Sequence, residues 1–250
     1  MTLVLLTALG VGGATVIGAI IGFLTEKISH KFSDIVLGFA AGIMLCASVV
    51  GLILPSVEKG SVYVTVLGIF VGAIVLNLID KFTPHLHNTL DGAMEEHHPE
   101  SVKRHSKIML FVLAIAIHNF PEGIASGVGF GTDNVAGAMT IAIGIALQNI
   151  PEGMVIIAPM VSVGISKKKA LLIASLTGFI EVVGTFIGYF LVNISTAVLP
   201  FALAFAGGTM LYIISDEMIV ETHSHGNEMG ATYSILIGFA LMLLISVLIG

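Results

Sequence analysis

The chain has 250 residues, 56% of them hydrophobic and 10% charged, with a formal net charge of −6 and a mean hydropathy of +1.05, whereas a soluble globule carries about 25% charged residues. This composition excludes a soluble enzyme, and with no basic groove for phosphate it excludes a nucleic-acid binder. Cys46 is the single cysteine, so the chain cannot build a disulfide framework.

Residues 1–25, 35–57 and 60–79 carry no charge, and a bilayer core about 30 Å thick takes roughly 20 apolar residues per helix. Runs this long and uniformly apolar fit helices, because a membrane barrel needs strands of about ten residues with alternating polarity. The polar punctuation predicts eight spans, near residues 3–24, 35–55, 62–80, 108–130, 135–160, 170–192, 196–218 and 229–249. The expected architecture is an all-α, polytopic membrane helix bundle forming a single domain over residues 1–250.

The first apolar run lacks the basic region of a cleaved signal peptide and continues to Leu24, so it reads as a permanent span. Its Gly10, Gly12, Gly13, Gly18 and Gly22 suit close helix packing. After the third span, residues 81–107 are expected to form a flexible, His-rich cytoplasmic loop. It holds His85, His87, His97, His98 and His105 with Pro84, Gly92 and Pro99, and few apolar residues to build a core.

The fourth and fifth spans carry related segments thirty residues apart, HNFPEG from His118 to Gly123 and QNIPEG from Gln148 to Gly153. Three spans flank them on each side, a 3+2+3 arrangement in keeping with transporters built on internal repeats. At about 100° per residue, Glu122 falls angularly between His118 and Asn119 and can share a cation with either; Glu152 stands likewise to Gln148 and Asn149. Pro121 and Pro151 free the carbonyls of Ile117 and Leu147 and predict kinks, and irregular backbone at membrane depth is tolerated where it lines a polar cavity.

The stretch from Ala170 to Ser215 holds one charge, Glu181, and is too long for one span, so it breaks around Asn193 to Pro200. An ionisable group at mid-span costs at least about 2.5–3.5 kcal/mol on insertion scales, and such groups mark ion pathways or paired sites. No lysine or arginine lies inside any expected span, so Glu122, Glu152 and Glu181 need a counter-charge from outside the polypeptide. Imidazole, amide and carboxylate together suit zinc, iron or manganese, and the lack of a thiolate set argues against copper(I). Three carboxylates accept one divalent ion or two. At the end of the seventh span, Asp216 and Glu217 precede Glu221, His223 and His225, and these last three read equally as a solvated interfacial cluster or as ligands; His30 reads as interfacial.

The loops after spans one, three and five hold nine lysines and arginines, whereas the opposite loops and both termini hold only Lys59. By the positive-inside rule those three loops are cytoplasmic and both termini are extracytoplasmic.

HNFPEG in the fourth span, NxPEG in the fifth, a glutamate in the sixth, eight spans and a histidine-rich third loop resemble the ZIP family of divalent metal transporters, bacterial type, over essentially the whole chain. The resemblance implies metal ligands at His118, Asn119, Glu122, Gln148, Asn149, Glu152 and Glu181, with Met44 bordering the same site and Glu217 on the exit pathway. Gln148 departs from the histidine frequent in the family, and an amide is the weaker ligand. The implied activity is movement of a divalent transition metal, zinc foremost but also iron, manganese or cadmium, into the cytoplasm through a midplane site. No prosthetic cofactor and no ATP are expected, since no Walker-type loop is present. The expected setting is the bacterial inner membrane, with the lipid bilayer and the metal ion as partners, no nucleic acid, and a homodimer allowed. Two other classes stand beside this reading: an intramembrane metallohydrolase, which lacks HExxH and a separate general base, and a metal sensor that binds without moving its ion.

Overall fold

The structure, a computed structural model, describes residues 1–25, 28–91, 100–131 and 134–249, with backbone alone at 82–91, 100–111 and 196. Eight helices follow one another: α1 Thr2–Leu24, α2 His30–Lys59, α3 Val62–Asp91, α4 Glu100–Gly129, α5 Val135–Ser162, α6 Lys167–Ile194, α7 Leu199–Thr222 and α8 Glu228–Ile249. Seven are long and apolar enough to cross a membrane, and α4 completes the set with its apolar run 108–117. There is no strand among the described residues. The expected break between the sixth and seventh spans is a short 3-10 turn, Thr196–Val198. Large apolar side chains such as Leu67, Phe70, Leu172, Phe179 and Leu244 stay exposed on the outside, as a bundle solvated by lipid requires.

The connection after α3 departs from expectation. Backbone that was expected to be a loop across 81–107 is helical to Asp91 and again from Glu100, since a helix satisfies its own backbone hydrogen bonds on either side of the bilayer surface. His85, His87 and His105 lie on these helical extensions with their side chains undescribed, and His97 and His98 lie outside the described residues.

The main pairings divide the helices into two groups: α1, α4, α5 and α6 pack together, as do α2, α3, α7 and α8. The pattern is unchanged when α1, α2, α3 are exchanged with α6, α7, α8 and α4 with α5: α1 on α5 becomes α6 on α4, and α2 on α8 becomes α7 on α3. That exchange is the 3+2+3 arrangement in space. The equivalent helices α2 and α7 are both interrupted by a π-helical stretch, at Ala47–Ile53 and Ile214–Met218.

Within each group the helices touch backbone to backbone. A Cβ on Gly18 would overlap the Ile150 carbonyl oxygen, and one on Gly42 would overlap that of Ile235. Across the groups the glycines meet side chains instead, Gly144 facing Met242 and Gly51 facing Ile141. Each group is therefore locked as a unit, while the seam between them is an ordinary side-chain interface.

Candidate metal centre

Both hexapeptides lie inside uninterrupted helices, with Pro121 in α4 and Pro151 in α5. Their glycines bring the neighbouring helices close. A Cβ on Gly123 would overlap the Glu181 carbonyl oxygen of α6, and one on Gly153 would overlap that of Thr15 on α1. Thr15 and Glu181 are thus equivalent positions of the two halves, and they meet: Thr15 Oγ1 donates to Glu181 Oε1 at 2.7 Å.

Glu181 is fully buried, and both its oxygens are engaged. Oε1 also accepts from Asn119 Nδ2 at 2.6 Å, and Oε2 accepts from Asn149 Nδ2, which donates in addition to the Val11 carbonyl at 3.1 Å. Each motif asparagine therefore gives an amide proton to the same carboxylate and keeps its carbonyl oxygen free. Asn119 Oδ1 and Asn149 Oδ1 have no partner among the described residues, and the same holds for Glu122 Oε2 and Glu152 Oε1. Buried polar atoms are normally paired. A group of unpaired oxygens on two packed helices could hold a cation.

His118, Asn119, Glu122 and Glu152 line a cavity of about 290 Å³ that continues past Asp216 and Glu217 to Glu221. No lysine or arginine among the described residues lines it. Below the paired motifs, His118 Nε2 stands 2.9 Å from Glu217 Oε1 and 4.0 Å from Asp80 Oδ1, and the three ligand atoms lie close enough to hold one ion. Glu217 reaches this position from the π-helical stretch of α7, a feature frequent at functional sites.

The sequence-predicted residues separate accordingly. His118, Asn119, Glu122, Glu152 and Glu217 meet at the cavity. Gln148 and Asn149 lie fully buried beside it, and Glu181 sits behind the asparagines as their common acceptor. Met44 lies in the apolar core with Val11 and Ile145. That core also contains Val128, Ile141, Val192, Leu199 and Leu203, which fill the bundle where α4 ends and α5 and α7 begin. Glu221 lines the cavity mouth. His223 is occupied in closing α7, with Nδ1 2.9 Å from the Ile219 carbonyl oxygen and Nε2 3.0 Å from Thr232 Oγ1.

Asp80 and Thr15 were not singled out by sequence reasoning. Asp80 carried a faint signal as the acid that ends the uncharged run 60–79; Thr15 carried none, since a hydroxyl in an apolar helix usually bonds its own backbone.

A family model described as ZIP Zinc transporter matches residues 83–246. The chain is 34% identical to the zinc transporter GufA of Myxococcus xanthus over 98% of either chain. It is 34% identical to the zinc transporter ZIPB of Bordetella bronchiseptica, covering 95% of this chain and 78% of that one. Against the zinc transporter ZupT of Chlorobaculum parvum it is 37% identical, covering 95% and 94%.

Proposed function

Because this multi-pass membrane chain belongs to the ZIP zinc transporter family, we propose that it carries a divalent transition metal, zinc foremost, into the cytoplasm. The relatives reported above are transporters by name and not enzymes, and the hydrolase alternative falls away. Iron, manganese and cadmium remain candidate substrates of the same oxygen and nitrogen donors.

The observation that carries the reading is the set of unpaired oxygens on α4 and α5 bordering a cavity that no lysine or arginine among the described residues lines. In this reading Asn119, Glu122, Gln148, Asn149 and Glu152 hold the ion, as one metal or two. Glu181 is a positioning residue whose two oxygens aim the asparagine carbonyls at it. His118, Asp80 and Glu217 receive the ion next, and Met44 is a wall of the apolar core. Binding exchanges the metal's water for protein donors, and an ion of charge +2 offsets the carboxylates that would otherwise stand unpaired in the bilayer.

The cavity reaches the end of the bundle where α7 finishes and α2 starts, which the basic loops assign to the cytoplasm in the inner membrane, with both termini outside. The apolar packing around Ile141, Ile145 and Leu203 blocks the opposite path, so uptake requires the two helix groups to shift along their side-chain seam.

The test is zinc uptake into proteoliposomes under an inward zinc gradient. The parent chain is expected to accumulate zinc, and the Glu122→Gln/Glu152→Gln variant is expected not to. Folded parent protein that binds zinc without protein-dependent uptake would establish a sensor and overturn transport.

A further inference from the structure

The cavity mouth has a second group of ligand-type side chains that the transport route above leaves unused. His30 and Asp34 stand four residues apart on the first turns of α2, so they share one helix face. His225 comes to that face from the connection between α7 and α8. Its Nδ1 lies 2.9 Å from Asp34 Oδ1, and its ring stacks on that of His30 with centroids 4.6 Å apart and planes 25° from parallel. Its other nitrogen, Nε2, lies 3.9 Å from Glu221 Oε1, and Glu221 lines the cavity.

Asp34 is the informative member. It is 1% exposed, no lysine or arginine pairs with it among the described residues, and its second oxygen, Oδ2, is buried without a partner. A buried carboxylate with a free oxygen is costly, and the His225 imidazole against it, with the His30 ring stacked on His225, brings nitrogen donors of the kind that borderline-metal sites use. His223, two residues before His225, has both nitrogens taken by Ile219 and Thr232, so the connection presents one imidazole to Asp34 and fastens itself with the other.

We propose that His30, Asp34 and His225 form a second divalent-metal site at the mouth of the cavity, taking zinc or a similar borderline cation, with Glu221 as the group that links it to the route. In the metal-free arrangement the His225 to Asp34 hydrogen bond and the ring stack hold the three side chains together. A cation replaces the shared proton, which leaves to water, and joins the Nδ1 lone pair to the Asp34 carboxylate. Two consequences follow from this position. The ion pauses beside the cytoplasm after the paired motifs have released it, and its binding ties the start of α2 to the end of α7. The role in the route rests on the transport reading, whereas the binding does not.

The experiment is anomalous diffraction at the zinc edge from zinc-soaked crystals of the full chain, with zinc stoichiometry by equilibrium dialysis. Parent and Glu122→Gln/Glu152→Gln protein should both show a peak about 2.0–2.2 Å from an imidazole nitrogen and an Asp34 oxygen. His225→Phe, which keeps a ring to stack on His30, should lose that peak and one bound zinc per chain, and Asp34→Asn should weaken it. An occupied central site with no density among these three residues overturns the proposal, as does full zinc stoichiometry in both His225→Phe and Asp34→Asn. Failure of the transport reading looks different: the peak at His225 is present while parent proteoliposomes take up no zinc.

Discussion

The hexapeptides of α4 and α5 are used alike at three positions and differently at the first. Asn119 and Asn149 each give an amide to one oxygen of Glu181, Glu122 and Glu152 each keep an unpartnered oxygen, and Gly123 and Gly153 each press against a neighbouring backbone. His118, however, reaches Glu217 and Asp80, whereas Gln148 is fully buried. The partners also differ, because the position equivalent to Glu181 in the other half is Thr15. The near-symmetric bundle therefore builds an asymmetric centre. One acid orients both asparagines, a hydroxyl supports that acid, and only the α4 copy extends toward the cavity mouth. Symmetry in the backbone supplies two matched motifs, and different residues at two positions make their surroundings unlike.

The largest effect expected from breaking the comparison is structural. Gly153→Val drives a branched side chain into the Thr15 backbone, and Gly123→Val does the same at Glu181. Where glycine lets membrane helices touch, both variants should lose monodisperse, folded protein, read by size-exclusion profile and thermal unfolding. A parent-like melting temperature in either would show that the tight contact is dispensable.

Next come the acids. Glu122→Gln and Glu152→Gln should each weaken zinc binding by more than the roughly 10- to 100-fold that loss of a supporting partner costs, while melting at or above the parent temperature because an unpaired buried charge is gone. Equal and small effects on titration calorimetry would contradict both assignments. Glu181→Gln should fall within that 10- to 100-fold range. It keeps an oxygen for one asparagine but turns an NH₂ toward the other, so one carbonyl loses its orientation. If Glu181→Gln proves as damaging as Glu122→Gln, then Glu181 is a ligand and not a support.

The smallest effect restores the symmetry. Gln148→His should tighten zinc binding by less than about tenfold, or 1.4 kcal/mol, since imidazole is the better donor. An amide has no proton to lose on binding and an imidazolium does. Zinc affinity should therefore fall on acidification in the parent chain and fall more steeply in Gln148→His. Parallel plots of log Kd against pH for the two proteins would mean that residue 148 does not touch the metal.

Most of the fold was legible along the chain because the bilayer constrains it so strongly. Apolar runs such as 60–79 must be helices of about membrane length, and polar breaks such as Asn193 to Pro200 must be turns. The eight spans and the 3+2+3 order followed from that. The helical extensions to Asp91 and from Glu100 were not legible, since outside the membrane polar composition is compatible with helix or loop. The spacing of the motif glutamates and asparagines was enough to suggest a cation site. The division of labour among them was not legible, because Glu181 has the same chemistry whether it faces a metal or two amides.

By itself, then, the sequence determined a lipid-solvated helix bundle, the gathering of its basic residues in three of the loops, and two hexapeptides with carboxylates for which the expected spans hold no lysine or arginine. Those follow from the cost of water-free burial, which acts residue by residue. Tertiary structure alone decided that Asp80 of α3 and Glu217 of α7 meet His118, that Thr15 supports Glu181, and that His225 lies on the buried Asp34. These contacts join residues 38 to 191 positions apart, and no local period or propensity encodes which helix faces which; that is set by where glycines permit backbones to touch.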